Sequence, residues 1–519
     1  MEGAQFLLHR TGRLSASDEE SKEARNIVIA LGGFPLALDQ AGAYIEETGC
    51  SFSDYLQIYE RHRAALLARR GKQATNYPAS VATTWDLSFQ KVEQTQPAAA
   101  ELLRLCAYLS PDHIPEELIT EGATYWPALL QEAVIDPLHF NELLGAVLAF
   151  SLVKRLAEER ILSLHRLVQA VQRDRMDEEE QRCWAERVVY TVNELFPADP
   201  KDEVNAWPQC LRYLEQVQTC EQLIEYHSLQ LPEAAELLDR AGVYLREHAS
   251  YGLAEQFFQR ALVIAEHQLG PQHLQVATSL NNLGILSYAQ GKDEQAESSH
   301  QRALQIQEQA LGPHHPRVAY TLNNLSVLYL KQGKHALAEP LLQRALRIWE
   351  QALGPYHSLV AYPLDSLGNL YCEQGKYALS EPLLQRALHI WEQVLGPHHP
   401  LIAYSLNGQA NLFREQGRYE QSEALYQRAL SLRQEYLGPQ RSEVAETLQD
   451  QAWLRQMQRW LLCAEYVSRA WQDKEAFPAG AQFALTRVSA QNLPIRGFSS
   501  ESAKARTTTR WIDLLLGQV

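Results

Sequence analysis

In the second half of the chain, apolar residues recur at spacings of three and four, and the polar punctuation between them returns every 42 residues. Within 316–332, Val318, Leu322, Leu325, Leu328 and Tyr329 form one stripe of a helix. Pro316 suits its first position, where a missing N–H costs nothing, and Gly333 can take the left-handed conformation that stops it. A second stripe over 336–353 places Ala338, Leu342, Ala345, Leu346 and Trp349 on one face, and Gly354-Pro355 ends it. The pattern predicts a helical hairpin.

The hairpin repeats. Leu-Gly-Pro stands at 269–271, 311–313, 353–355, 395–397 and 437–439, and Gln-Arg-Ala-Leu begins at Gln259, Gln301, Gln343, Gln385 and Gln427. Gly followed by Lys or Arg marks Gly291, Gly333, Gly375 and Gly417 in the same register. One hairpin cannot cover its own apolar stripe, so neighbours must stack. Tyr244 to Gly270 (with Ala254, Phe258 and Ala261) and Ser442 to Trp471 (with Cys463, Ala464 and Trp471) read as degenerate terminal units. About six hairpins are expected over 231–475.

These repeats resemble the tetratricopeptide family. Leu322-Asn323-Asn324-Leu325, Gln374-Gly375-Lys376-Tyr377 and the run Leu395 to Pro400 are most similar to the kinesin light chain form. The resemblance implies a concave groove lined by the first helices, where the first Asn of each Leu-Asn-Asn-Leu bonds the backbone of an extended peptide. That role would fall on Asn281, Asn323 and Asn407, with Asp365 in their place in one copy. Tyr320, Tyr362 and Tyr404, then Asn369, Asn411 and Arg414, would be the groove neighbours. Asp365 would repel an acidic group at its rung, so a mixed or partly basic ligand is expected. Arg302, Arg344, Arg386 and Arg428 read as solvated or ion-paired, and His314-His315 and His398-His399 as turn or helix-N-terminal residues rather than metal ligands.

Residues 1–230 carry no repeat. Leu31-Gly32-Gly33-Phe34-Pro35-Leu36-Ala37-Leu38 lies between two helical stretches, with Gly-Gly as a break and Pro35 as a start. It resembles the GLPLAL motif of NB-ARC domains, the nucleotide switches of STAND-type NTPases, and fits bacterial members with tetratricopeptide sensors. Leu164-His165-Arg166-Leu167-Val168 resembles the MHDLV element that closes that family's winged-helix subdomain, with Arg166 in place of Asp. The resemblance implies adenine packing on Pro35 and a β-phosphate contact from His165. Ser80 to Ile119 reads as the opening helices of the winged-helix unit.

No GxxxxGK[ST] occurs in the sequence, so a P-loop domain would have to precede Met1 or come from a separate NTPase. On this reading the chain has no cofactor of its own, beyond a vestigial ADP contact made with a P-loop partner. No HExxH, GxSxG or zinc-spaced Cys/His cluster is present, so no catalytic or metal site is expected.

Composition narrows the partners. The 519 residues carry a formal charge of −16, which argues against nucleic acid as a bulk electrostatic partner. Arg166, Arg173 and Arg175 give a winged helix some basic character, but the acidic run Asp177 to Glu180 follows directly. Seven scattered cysteines suit reduced thiols in the cytoplasm. There is no apolar run long enough for a membrane span and no secretory leader.

The expected class is all-α: a helical subdomain and winged helix followed by an α-α superhelical tetratricopeptide solenoid. The expected parts are a helical subdomain at 1–79, a winged-helix-like domain at 80–180, a connector at 181–230, the solenoid at 231–475 and a basic, flexible tail at 476–519. The expected function is a scaffold or sensor that captures a protein or peptide. The alternative is half of a split NTPase that completes a partner's nucleotide site.

Overall fold

Helix boundaries follow the caps that the sequence supplies. The computed structural model describes residues 2–11, 13, 17–68, 81–149, 152–200, 206–437 and 442–472, and it divides into two compact units, Met1–Pro271 and Gln272–Val519. The tail expected at 476–519 lies outside the described residues.

The first unit opens with α1 (Glu2–Arg10), α2 (Asp18–Ala30), α3 (Pro35–Thr48) and α4 (Phe52–Ala68). Ser17 and Glu20 cap the start of α2 reciprocally. Its end is closed by Gly32, at φ +61°, and by Gly33 N–H, which reaches back to the Val28 carbonyl at 2.8 Å. Pro35 then occupies the first turn of α3, so the Gly-Gly break and the proline start are both present. Arg10 on α1 pairs with Asp39 and Glu46 on α3, and the buried Gln40 amide donates to the Leu66 and Leu67 carbonyls at 3.0 Å.

Next come α5 (Val81–Thr95), α6 (Pro97–Cys106), β1 (Ile114–Pro115), α7 (Glu116–Glu121), α8 (Ala128–Ile135), α9 (Pro137–Ala149), β2 (Val153–Leu156), β3 (Ile161–Leu164) and α10 (Arg166–Asp174). The three short strands form an antiparallel sheet in the order β1-β3-β2. Glu116 is buried where α7 leaves the sheet, and Arg155 of β2 grips it at both oxygens, Nε to Oε1 at 2.6 Å and Nη2 to Oε2 at 3.0 Å. The buried Gln169 amide of α10 donates at 2.8 Å to the carbonyls of Cys106 and Leu109, which end α6.

The acidic run that follows α10 has a local task. Asp177 and Glu180 form the capping box of α11 (Glu178–Leu195), and the acids sit at the positive end of the helix. In α12 (Trp207–Tyr226), buried Gln216 accepts from Ser110 N–H at 2.9 Å. The first hairpin, α13 (Pro232–Glu247) with α14 (Tyr251–Leu269), belongs to this unit. Its first helix packs on α11 and α12, and Arg240 donates to the Phe196 carbonyl at 2.7 Å. The boundary between the units therefore falls after Pro271, whereas the repeats begin some way before it.

The second unit contains α15 (Leu274–Ala289), α16 (Asp293–Leu311), α17 (Pro316–Lys331), α18 (His335–Leu353), α19 (Ala361–Glu373), α20 (Tyr377–Leu395), α21 (Ile402–Glu415), α22 (Tyr419–Leu437) and α23 (Ser442–Gln472). The first eight pair into four antiparallel hairpins. Each hairpin turn is closed by glycine at positive φ, as at Gly333 (+69°), where Lys334 N–H returns to the Tyr329 carbonyl at 2.8 Å. Four Leu-Gly-Pro glycines, Gly270, Gly312, Gly354 and Gly396, take another conformation, φ +91° and ψ 159° at Gly354, a region that side chains other than glycine's essentially cannot occupy.

Trp349, Trp391, Leu322, Leu364 and Leu406 fill one core shared by successive hairpins, and Ala345 and Ala387 are fully buried where helices come close. In α18 the fully buried position is Ile348 rather than Leu346, which packs at the margin of this core.

The last unit departs from expectation. Instead of a sixth hairpin, α23 runs unbroken from Ser442 to Gln472. The register that puts Gly333, Gly375 and Gly417 at hairpin turns puts Arg459 at the next one. Without glycine to take a positive φ, the helix continues. The described residues are all-α apart from the three short strands, and none of their helices is long and apolar enough to cross a membrane.

Candidate functional site

The amide ladder lies in the seams between helices. Asn281 on α15 accepts through Oδ1 from the His300 ring at 3.0 Å and from Asn324 Nδ2 of the next hairpin at 3.3 Å. His300 fits because residue 284 is glycine: a Cβ there would come within 2.6 Å of its ring. Burial depresses His300 to about 4, so the neutral ring donates from Nδ1. Asn407 donates to Thr447 Oγ1 on α23 at 3.2 Å, and Arg433 donates to the same hydroxyl. Asn323 and Asn407 each keep a buried Oδ1 with no partner.

Asp365 accepts from Asn369 and, across to α21, from Ser405, both at 3.0 Å. Burial lifts its carboxyl to about 6, while these two hydrogen bonds pull the other way. All four ladder side chains are buried. At Asn281, Asp365 and Asn407 the expected row makes internal contacts, because a polar side chain between helices bonds its neighbours first.

The other expected groove residues are more accessible. Tyr320, Tyr362 and Tyr404 stand one turn before the ladder on α17, α19 and α21, and Tyr404 is 42% exposed. Tyr362 meets Trp391 edge-on at 5.3 Å, and the Arg433 guanidinium lies 5.1 Å from the Tyr404 ring centre. Asn411 accepts from the Tyr426 hydroxyl, and Arg414 bonds that hydroxyl and covers the Trp453 ring at 4.2 Å.

Three of the Gln-Arg-Ala-Leu arginines, Arg344, Arg386 and Arg428, are ion-paired. Arg344 bonds Glu308 at 2.6 Å and the Pro313 carbonyl at 2.7 Å, Arg386 does the same to Glu350 and Pro355, and Arg428 to Glu392 and Pro397. Each clasps the preceding hairpin.

In the first unit the two motifs meet, although 133 residues separate them. His165 caps α10 by accepting from Leu167 N–H at Nδ1 (3.2 Å), which leaves Nε2–H to donate to the Gly32 carbonyl at 3.2 Å. Phe34 lies between His165 and Trp85, with ring centres 5.5 and 5.0 Å away. A Cβ on Gly32 would approach the His165 ring to 2.8 Å. Burial lowers the His165 pKa, which favours the neutral ring. With both nitrogens engaged, His165 has no donor left for a phosphate, and Pro35 serves as the first residue of α3. In this arrangement the bond to Gly32 takes the donor that the resemblance assigned to a phosphate.

Five overlapping stretches, 233–309, 285–351, 318–378, 359–430 and 401–460, match the tetratricopeptide repeat family. Residues 233–460 are tetratricopeptide repeats. A domain of unknown function (DUF7779) matches residues 90–181. A nucleotide-binding leucine-rich repeat (NLR)-like protein of Hyaloscypha variabilis is 27% identical over 273 residues, covering 50% of this chain but only 26% of that protein. The chain thus spans about a quarter of that relative's length.

Among solved structures, BtubC (BKLC) of P. vanneervenii is 20% identical with a TM-score of 0.36, covering 46% of this chain and 96% of its own. A STAND protein with a tetratricopeptide repeat sensor from Pyrococcus horikoshii is 11% identical with a TM-score of 0.32, covering 84% of this chain and 74% of its own.

One periodic device in the tetratricopeptide array was legible in the sequence only in part. His273, His315, His357 and His399 each accept, through Nδ1, from the backbone N–H two residues on and so cap the next helix or the short turn that leads into it. The signal was available: a histidine recurs every 42 residues just before a helix start. Only two of the four were singled out, because histidine is an uncommon cap.

Proposed function

We propose that the tetratricopeptide array is the partner-binding sensor region of a STAND-type signalling protein, and that it takes a protein or peptide along the faces of its first helices without chemistry of its own. The observation that carries this reading is the tyrosine row. Tyr320, Tyr362 and Tyr404 recur at the repeat period on one face, beside a buried amide ladder, and retain accessible surface. Tyrosine supplies large contact area at low entropic cost, and a rigid row offers a periodic set of anchors to an extended segment. Residues 80–180, which include the helices and small sheet from α5 to α10, are read as the winged-helix unit of the same switch. The buried thiols of Cys106, Cys210 and Cys220 suit a reducing cytoplasmic setting.

The alternative of completing a partner's nucleotide site has less support, since both His165 nitrogens are engaged. The test is peptide selection on the full chain, followed by anisotropy titration of a selected peptide against the Tyr362→Ala/Tyr404→Ala double variant. Loss of about tenfold or more in affinity is expected, as for buried aromatic anchors. Unchanged affinity would place the ligand elsewhere.

A further inference from the structure

A cavity of about 380 Å³ opens between α4 and α10 in the first unit, within the size range of small-molecule sites. Ala30, Leu56, Leu167 and Ala170 give it apolar walls, and Arg63, Arg166 and Arg173 reach it from two sides. Arg166 and Arg173 lie seven residues apart on α10, two turns along one face. Arg63 directly follows the break in α4 at His62 and is matched by Asp174. Arg173 is different. Its guanidinium lies 6.0 Å from the Tyr108 ring centre but has no hydrogen bond or carboxylate partner of its own among the described residues. Burial, then repulsion from Arg63, lowers its pKa, so the charged form is held at a cost that an anion would relieve. Glu60 also lines the cavity. Three arginines against Glu60 and Asp174 leave a net charge of plus one to be met.

We propose that this cavity binds a small phosphate monoester, its phosphate between Arg166 and Arg173 and its carbon part against the apolar walls. Guanidinium forks match phosphate oxygens two at a time, and a phosphate's double charge outweighs the opposing Glu60. Tyr59 also lines the cavity and adds to its wall. A bound ester would tie α4 to α10, two helices already joined here by the Arg63–Asp174 pair. The site is independent of the array's partner.

The test is calorimetric titration of the full chain with phenyl phosphate in low salt, in parallel with Arg173→Gln and Arg166→Gln. Saturable binding at millimolar ligand or below is expected, weakened about tenfold in each variant, the loss anticipated for one charge-assisted bond. Arg166 is exposed, so its variant will fold even if Arg173→Gln does not. Absence of binding by the native chain, or equal binding by a folded Arg166→Gln chain, overturns the proposal.

Discussion

Arg344, Arg386 and Arg428 clasp the hairpin before them through the same two acceptors, whereas Glu116, Gln169, Gln216 and His165 each make a bond that has no copy. In the array an interaction is repeated between neighbours, so its loss at one rung leaves equivalent bonds at the others, and stability approaches a sum of local terms. In the first unit the stabilising bonds join segments far apart in sequence, and each loss is felt by the whole. The two regions should therefore respond differently to single changes.

Trp349→Ala should have the largest effect. The ring is fully buried in the shared core and its Nε1 donates to the Pro316 carbonyl at 3.1 Å, so the cost is about 4 kcal/mol. Hydrogen exchange should show lost protection from α16 to α20 and little change in α5–α12. Equal loss in both regions would break the comparison. Trp391 occupies the same register with an unpartnered Nε1, because a 3-10 turn at Ser358–Val360 replaces the proline start. Trp391→Ala should therefore cost about 1 kcal/mol less.

Glu116→Ala tests the other side. Glu116 is buried and doubly bonded to Arg155, which is itself partly exposed, so the cost sits near the lower end for a broken buried pair, about 3 kcal/mol. Urea unfolding followed by exchange should show α5–α12 melting as one body while α17–α22 keep their protection. Piecemeal loss confined to α7 and β2 would show that the first unit, too, is a sum of local parts.

This difference also explains what the chain disclosed before folding. A repeat is self-alignment, so Gly333, Trp349 and the Gln-Arg-Ala-Leu arginines declared their roles through recurrence. The ladder residues declared a position but not a direction: Asn281 and Asn407 recur as a groove would require, yet their partners His300 and Thr447 lie on other helices. In the first unit, Pro35 was legible as a helix start, but resemblance alone singled out His165, and it suggested a ligand where the structure has an intramolecular bond to Gly32. The Arg155–Glu116 pair and the cavity at Arg173 left no trace in local pattern, because each joins elements that only the fold brings together.

Asp365 is the array's own irregularity and gives a smaller effect of opposite sign. Its carboxyl, raised from the usual range to about 6, binds a proton in the native state that the unfolded chain has already lost. Between those two values stability falls as pH rises, and at pH 7 the ionised group is buried at full cost. Asp365→Asn restores the residue found at the other rungs and can still bond Ser405 and Asn369. It should stabilise the array by about 2 kcal/mol at pH 7, and the gain should vanish toward pH 4. Thermal melts of both chains across that range measure it, and a gain independent of pH would assign the effect to packing instead of charge.

The smallest effect sets one device in both contexts. His315 and His165 each cap a helix through Nδ1, but only His165 sends its other nitrogen to a distant carbonyl. His315→Ala should cost about 1 kcal/mol, the value of a cap, and should disturb only α17 and its neighbours. His165→Ala loses the cap and also the bond to Gly32, so it should loosen α2–α3 as well as α10. The pH dependence separates them further. The folded-state pKa of His165 lies below its unfolded value, so its contribution is present above the unfolded pKa and is lost as pH falls through the folded one. Acidification from neutral pH should therefore weaken the first unit, and His165→Asn, a cap that does not titrate, should flatten that slope. If the slope persists in His165→Asn, the coupling between the Gly32 turn and α10 is carried by the packing of Phe34 and Trp85, and the histidine is only a cap, as it is in the repeats.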